Sequence, residues 1–349
     1  MTMPLSAPAV APVVAARTRV RIGYLLVLAA ILAAAVVPFL APPYVVQNYT
    51  RVLIVALPTV GLNLLTGYGG VISLGQSVFF GLGAYVTAIL VADHGWAWWQ
   101  TLPLAVALPL AAGVLIGIPS LRIRGVYFAI VTLVLAAWFP NVIQRFNETT
   151  GGNQGKSLTV MQAPGWLGLA QDQYGYLVSL CFLLLVLLLL RNLARGRTGR
   201  ALTAMRDNEV AAATQGVDVA RTKIYVSGLS AAAAGLGGCL YAATQGIVSS
   251  ETAYFTVVGA IEFLAAMVIG GAGTVLGPIV GALVTERLPV LLSDVDPQLA
   301  VAAYGVLLIV VVRVMPAGLV GFATTLARRL TARVTQHHTT VNARNEGKP

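Results

Sequence analysis

The apolar runs decide most of what this chain can become. Ten follow one another, at roughly 22–41, 51–67, 74–92, 101–118, 126–140, 176–190, 223–246, 257–270, 275–291 and 299–315. Crossing a hydrocarbon layer of about 30 Å takes about 20 such residues in a helix. Between the runs the chain is sparing with charge. It carries 22 Lys+Arg and 12 Asp+Glu, 10% of its 349 residues, where a soluble domain spends about a quarter. That is too little charge to cover a water-facing surface, and 58% hydrophobic residues exclude intrinsic disorder. The pattern predicts an all-α polytopic membrane protein with about ten (8–10) transmembrane helices. Some are short or broken by glycine, notably around Gly69–Gly70 and between Gly270 and Gly277.

The charges orient the runs. With a cytoplasmic N-terminus, alternation places the arm 1–21, the loop 119–125, the stretch 191–223 and the C-terminal tail on one side. These hold three, two, seven and six of the basic residues, 18 of 22. Arg51, Arg145, Lys156 and Arg287 remain on the other side, where seven of the twelve acids fall. Lys and Arg gather on the cytoplasmic side of short loops, so the net charge of +10 reads as topology. A nucleic-acid binder would concentrate it in one domain, so no nucleic-acid partner is expected. Trp96, Trp98 and Trp99 mark an outer interface. Both termini are expected in the cytoplasm, which requires an even number of spans. Residues 22–326 then form a single transmembrane domain, flanked by the arm 1–21 and a polar tail 327–349. The 22–41 run exceeds the 7–15 residues of a signal-peptide core and is read as an uncleaved first span.

Little conventional chemistry is on offer. Cys181 and Cys239 sit singly in apolar runs, and His94, His337 and His338 lie near a helix end or in the tail. No disulfide framework, metal site or catalytic set is expected. Glycines 151, 152 and 155 in TTGGNQG (149–155) lack the spacing of a phosphate-binding loop, whose upstream Gly would fall at Thr150.

Four segments carry polar groups where they matter. GLNLLTGYGGVISLGQSVFFGLGAY (61–85) has seven glycines with Asn63, Thr66, Ser73, Gln76 and Ser77 at membrane depth. Two readings stand: a discontinuous helix lining a pathway, since unwound backbone survives only where protein buries it or a wet cavity is lined, or close packing through small residues. A second glycine cluster, VIGGAGTVLGPIVG (268–281), echoes the first, as paired breaks in transporter repeats do. LRIRGVYFAIVTL (121–133) places Arg122 and Arg124 before a span holding Thr132. Glu262 is read as the one acid well inside an apolar run; it either serves structure by capping and pairing, or lines a pathway.

The fourth segment, RGRTGRALTAMRDNEVAAATQGVDVARTK (195–223), predicts a short helix over about 200–215, stopped by Gly216. Ala201, Ala204, Met205, Ala211 and Ala212 lie toward one side, with Arg206, Asp207, Asn208 and Glu209 as a polar edge. Small alanines in place of large anchors suit docking on a protein better than lying on a membrane.

In their order along the chain, these segments resemble the M-type permease subunit of branched-chain amino-acid ABC importers. GRALTAMRDNEVAAATQGV resembles the coupling loop of importer permeases. GLNLLTGYGGVISLGQSVFFGLGAYVTAIL, LRIRGVYFAIVTL, TGGNQG and IEFLAAMVIGGAGTVLGPIVGALV are similar to segments of that family, over roughly residues 50–322, to about PAGLVG. The chain departs from the usual pattern at Gly69, where Ala is common, at Gln76, where His is common, and near Asn153.

The resemblance implies an ABC-importer permease fold in the bacterial cytoplasmic (inner) membrane, without catalysis of its own. ATP and Mg would be used by two cytoplasmic ATPase subunits, and no cofactor would be bound here. A homologous H-type permease and a periplasmic or lipid-anchored binding protein would complete the assembly. The ATPases would dock on the loop 195–223, with Gly199, Arg200, Ala201, Met205, Arg206, Asp207, Glu209, Ala212 and Gly216 as its coupling residues. Asn63, Ser73, Gln76, Ser77, Thr132 and Glu262 are the expected pathway residues. Importers of urea, short amides or another small polar solute share these features. An ion-coupled carrier working alone would rest on Glu262 only.

Overall fold

The computed structural model describes residues 29–123 and 125–293, together with 305, 306, 309, 313, 318–322 and 325. The expected arm 1–21, most of the run 299–315 and the tail 327–349 lie outside the described residues, and with them the parity of the spans.

Nine apolar helices correspond to the first nine runs. They are α1 (Ala29–Leu40), α2 (Pro43–Leu62), α3 (Gln76–His94), α4 (Trp98–Gly117), α5 (Val126–Arg145), α7 (Gln171–Arg195), α10 (Val219–Gln245), α11 (Val257–Gly270) and α12 (Gly277–Ser293). Three short helices are not membrane elements: α6 (Asn147–Thr150), α8 (Arg197–Asp207) and α9 (Glu209–Thr214). Six of the nine are long and apolar enough to cross a membrane; α1, α11 and the 17-residue α12 are shorter. The chain is therefore an all-α polytopic membrane protein. Several helices outrun the apolar runs. α7 starts at Gln171 and ends at Arg195, because polar residues at a helix end cost little where they reach interfacial water.

α10 is the central post. It packs along α2, α3 and α4 with a Gly/Ala/Ser face from Ser227 to Ala243. Small residues let helix backbones close up where lipid offers no hydrophobic drive between helices. At Gly83 and Gly235 the backbones of α3 and α10 come so close that no side chain fits between them. α2 is buried on nearly all sides from Val52 to Leu62. α4, α5 and α7 instead turn Leu115, Val134, Trp138 and Leu189 outward, apolar surface that lipid can cover.

The loops separate into two faces. On one, the turn 149–157 joins the segment after α10: Lys156–Ser157 pairs antiparallel with Ile247–Val248, and Ser250 Oγ donates to Asn153 Oδ1 at 2.7 Å. Lys156 bridges to Asp93 here. On the other, the basic face, lie 118–123, α8 and α9, the stretch 69–75 that follows α2 and the turn after α11.

Candidate functional site

Three helix interruptions meet on the basic side of the bundle. The first begins inside α2. Pro58 has no N–H to give the preceding turn, and five residues later the helix widens into a π-helix, Asn63–Tyr68. Such π segments are rare and recur at functional sites. The chain then runs unwound from Gly69 to Gly75 and re-enters as α3. The second interruption separates α11 from α12 at 271–276. The third separates α8 from α9.

Asn63 joins the first two. Its side chain is fully buried; Nδ2 donates to Thr274 O at 2.7 Å, and Oδ1 accepts from Gly273 N–H at 2.7 Å. The amide thus satisfies one backbone donor and one backbone acceptor of the α11–α12 break. Gly67 makes this approach possible, since a Cβ there would overlap the Asn63 carboxamide and meet Gly273 N. Arg206 of α8 joins the third element, with Nη1 donating to Gly67 O at 2.6 Å and its stem lying on Gly70. Gly318, within PAGLVG, packs on Gly270 and Gly271.

Gln76, Ser73 and Thr132 hold the unwound strand. Gln76 Nε2 donates to Pro58 O at 2.9 Å and to Ser230 O at 3.1 Å, tying the start of α3 to α2 and α10. Leu74 N–H donates to Thr132 Oγ1 at 2.9 Å, and Thr132 Oγ1 donates to Ala129 O at 3.0 Å. Ser73 Oγ accepts from Gly75 N–H at 3.3 Å. Ser77 Oγ is buried and has no partner among the described residues. All five expected pathway residues on this side are buried inside one chain and gather around the unwound strand.

Glu262 is not with them. It is the sixth residue of α11, about 13 Å along the helix from Gly271 at 1.5 Å per residue. It does not cap α11: Thr256 does, accepting from Val258 N–H at 3.2 Å. Glu262 instead lies beside Glu286 of α12, which accepts from Tyr254 Oη at 2.7 Å. Glu286 thus joins Glu262 as an acid within an apolar helix. Its place at the end of a run concealed it in the sequence.

The loop 195–223 holds two helices where one was expected. Asn208 leaves helical geometry (φ −157°, ψ 108°), and its Oδ1 caps α9 by accepting from Val210 and Ala211 N–H, both at 3.0 Å. An Asn with helix formers on either side favours a cap over a helix interior because its side chain competes for backbone N–H groups. Gly216 (φ +83°) then stops the turn. Leu202, Met205, Gly199 and Ala212 are buried against the bundle, with Ala201 and Ala204 half-buried. Glu209 pairs with Lys223 at 2.9 Å. Arg206 reaches inward through its guanidinium. Exposed residues include Arg200, Thr203, Asp207, Asn208, Val210, Ala211, Ala213 and Thr214. Val210, 67% exposed, had no distinguishing signal in the sequence.

Among the described residues no group of three or more His, Cys, Asp or Glu could hold a metal ion. Cys181 and Cys239 are both unpaired thiols.

The family model described as "Branched-chain amino acid transport system / permease component" matches residues 44–315. The chain is 34% identical over 269 residues to the high-affinity branched-chain amino acid transport system permease protein LivM of Escherichia coli (strain K12), covering 70% of this chain and 63% of that protein. It is also 34% identical over 272 residues to the LivM protein of Salmonella typhimurium (strain LT2), with the same coverage. The chain therefore spans somewhat under two thirds of the length of these relatives. No solved structure matches it at a significant level. All three interruptions lie within the matched residues, and the chain belongs to the branched-chain amino acid transport system permease component family.

Proposed function

We propose that this chain is the M-type permease subunit of an ATP-binding-cassette importer that carries branched-chain amino acids into the cell by alternating access. The carrying observation is the family match over 44–315, together with the two LivM relatives. In this reading the chain sits in the bacterial inner membrane with both termini in the cytoplasm and pairs with a homologous H-type permease. Two ATPase subunits use ATP and Mg, and a binding protein delivers the solute; this chain contributes no ATPase site.

The geometry suggests how force enters. ATPase subunits press on α8 and α9 from the basic face, where Asp207, Val210, Ala211 and Thr214 are exposed. Arg206 passes the displacement to the π-helical end of α2, and Asn63 passes it on to the α11–α12 break. Unwound and π-helical backbone can change φ and ψ without breaking a regular hydrogen-bond ladder, so these breaks are the hinges. Ser73, Gln76, Ser77 and Thr132 act as the frame of that hinge beside the pathway. Glu262 and Glu286 lie toward the opposite mouth.

Proteoliposomes decide the matter. With the H-type permease, both ATPases and internal ATP, the chain should support binding-protein-dependent leucine uptake that stops when the ATPases are omitted. Uptake by this chain alone, driven by a proton or sodium gradient, would replace the proposal with a secondary carrier.

A further inference from the structure

Two clefts meet at Tyr225. The first lies at membrane depth between α2, α4, α7 and α10, where α4 packs along α10 and α7 on α2. The space left between them, about 640 Å³, is walled almost wholly by carbon, with Leu110, Phe182, Leu189 and Leu193 among its lining. It opens sideways past Leu185 and Leu189, 51% and 60% exposed. The second, also about 640 Å³, is an open groove on the basic face lined by Arg197, Arg200, Asp218 and Arg221. Tyr225 lines both.

The change from hydrocarbon to guanidinium occurs twice at one level. Leu193 lines the cleft, and Arg197, four residues on, lines the groove. On α10, Tyr225 borders the cleft and Arg221 lies one turn before it. Along α7 the cleft runs from Phe182 to Leu193, about 16 Å at 1.5 Å per residue. One leaflet's share of the hydrocarbon core is about 15 Å. Arg221 Nε is paired with Asp218 at 3.1 Å, whereas Arg197 and Arg200 have no acidic partner among the described residues, so the groove keeps an excess of two positive charges.

We propose that cleft and groove together bind one anionic phospholipid of the leaflet that faces the basic loops. An acyl chain fills the cleft, the phosphate is held by Arg197 and Arg200, and Tyr225 sits at the glycerol level. Guanidinium groups take phosphate oxygens through paired N–H donors. Basic pockets between membrane helices favour anionic headgroups, and tyrosine favours the interface between chain and headgroup. A protein segment docked in the groove would leave the carbon-walled cleft unfilled. Arg200, expected from the sequence to touch an ATPase, is assigned here to the lipid.

Native mass spectrometry of the full-length chain in mild detergent tests this with phosphatidylglycerol and phosphatidylcholine. Wild type should retain one phosphatidylglycerol in preference to phosphatidylcholine. Arg197→Gln/Arg200→Gln should lower phosphatidylglycerol retention about tenfold, as loss of charge-assisted contacts does, and leave phosphatidylcholine unchanged. Ala233→Phe, which narrows the cleft, should lower both. Equal retention of the two lipids by wild type, or unchanged phosphatidylglycerol retention in the arginine variant, overturns the proposal. A photoreactive benzoylphenylalanine at Tyr225, irradiated in native membranes, gives a reading independent of the variants' stability. A phospholipid adduct supports the site; an adduct to a protein chain alone overturns it.

Discussion

Arg206 Nη1 donates to the carbonyl oxygen of Gly67 at 2.6 Å and joins α8 to the π-helical end of α2 across 139 residues of chain. In a π-helix the register of backbone bonds is already shifted, so a carbonyl at its end is open to an outside donor. A charged donor makes the stronger bond, about 1.5–3 kcal/mol net. That is enough to keep two elements moving together through a transport cycle.

Arg206→Gln should therefore uncouple the importer without dismantling it. We expect the ATPase subunits to co-purify as before and to hydrolyse ATP, while leucine uptake falls by about tenfold or more, the rate equivalent of losing ~1.4 kcal/mol. Arg206→Lys, with one compact donor group where the guanidinium has a fork, should retain an intermediate rate. Paired uptake and hydrolysis assays on the same preparation measure the ratio. Uptake at wild-type level in Arg206→Gln would remove the bond from the coupling route.

Asn63→Leu keeps approximate volume and deletes both bonds to the α11–α12 break. It leaves Gly273 N–H and Thr274 O without their partner in a water-poor site, at ~1–3 kcal/mol for each group. A drop of several degrees in the thermal unfolding midpoint in detergent is expected, with uptake lost. An unchanged midpoint would mean that water or another group satisfies the break.

These two bonds explain what the sequence could and could not reveal. Apolar runs translate directly into helices because length and hydropathy alone set the cost of leaving them out of the membrane. Hence α1 to α5, α7 and α10 to α12 fall where the runs do, and the breaks at Gly69–Gly70 and Gly270–Gly277 fall where glycine and proline interrupt them. The polar cluster of 61–85 also emerges at one place. Its partners do not, because Asn63 meets residues 210 and 211 positions away. Nothing local in Gly67 says that its carbonyl awaits an arginine. The break at Asn208 was hidden for another reason: propensity summed over 200–215 favours one helix, and a single capping side chain outweighs the sum. Glu286 stood at the edge of an apolar run and read as a boundary until α12 placed it against Tyr254 and Glu262.

Gly67→Ala tests close approach against glycine content as such. The added methyl would overlap the Asn63 carboxamide and crowd Gly273 N, so the junction has to open. Overpacking of this kind costs ~1–3 kcal/mol. Gly165→Ala, where an added Cβ meets nothing within 4 Å and φ is ordinary, should leave expression, stability and uptake within error of wild type. If both variants behave alike, the tight fit at Gly67 has no functional consequence.

Cysteine labelling tests orientation and the exposed face of α8 and α9 together. Ala212 lies on the alanine-rich side of the loop, but it is only 3% exposed, packed against the bundle. A cysteine there should resist membrane-impermeant maleimide from either side. Val210 is 67% exposed, two residues away. Val210→Cys should react in inverted vesicles and stay unlabelled in spheroplasts, because its loop carries the densest group of basic residues and such loops stay inside. Gln154→Cys, in the exposed turn on the opposite face, should show the reverse. The native thiols Cys181 and Cys239 need replacement by Ser or Ala for a clean readout. In the assembled importer, ATPase subunits should protect Val210→Cys from the inner reagent. Labelling of Val210→Cys in spheroplasts would invert the topology, and with it the side from which ATP could act. Full labelling within the assembled complex would leave the topology intact and move the ATPase contact off this face of α9.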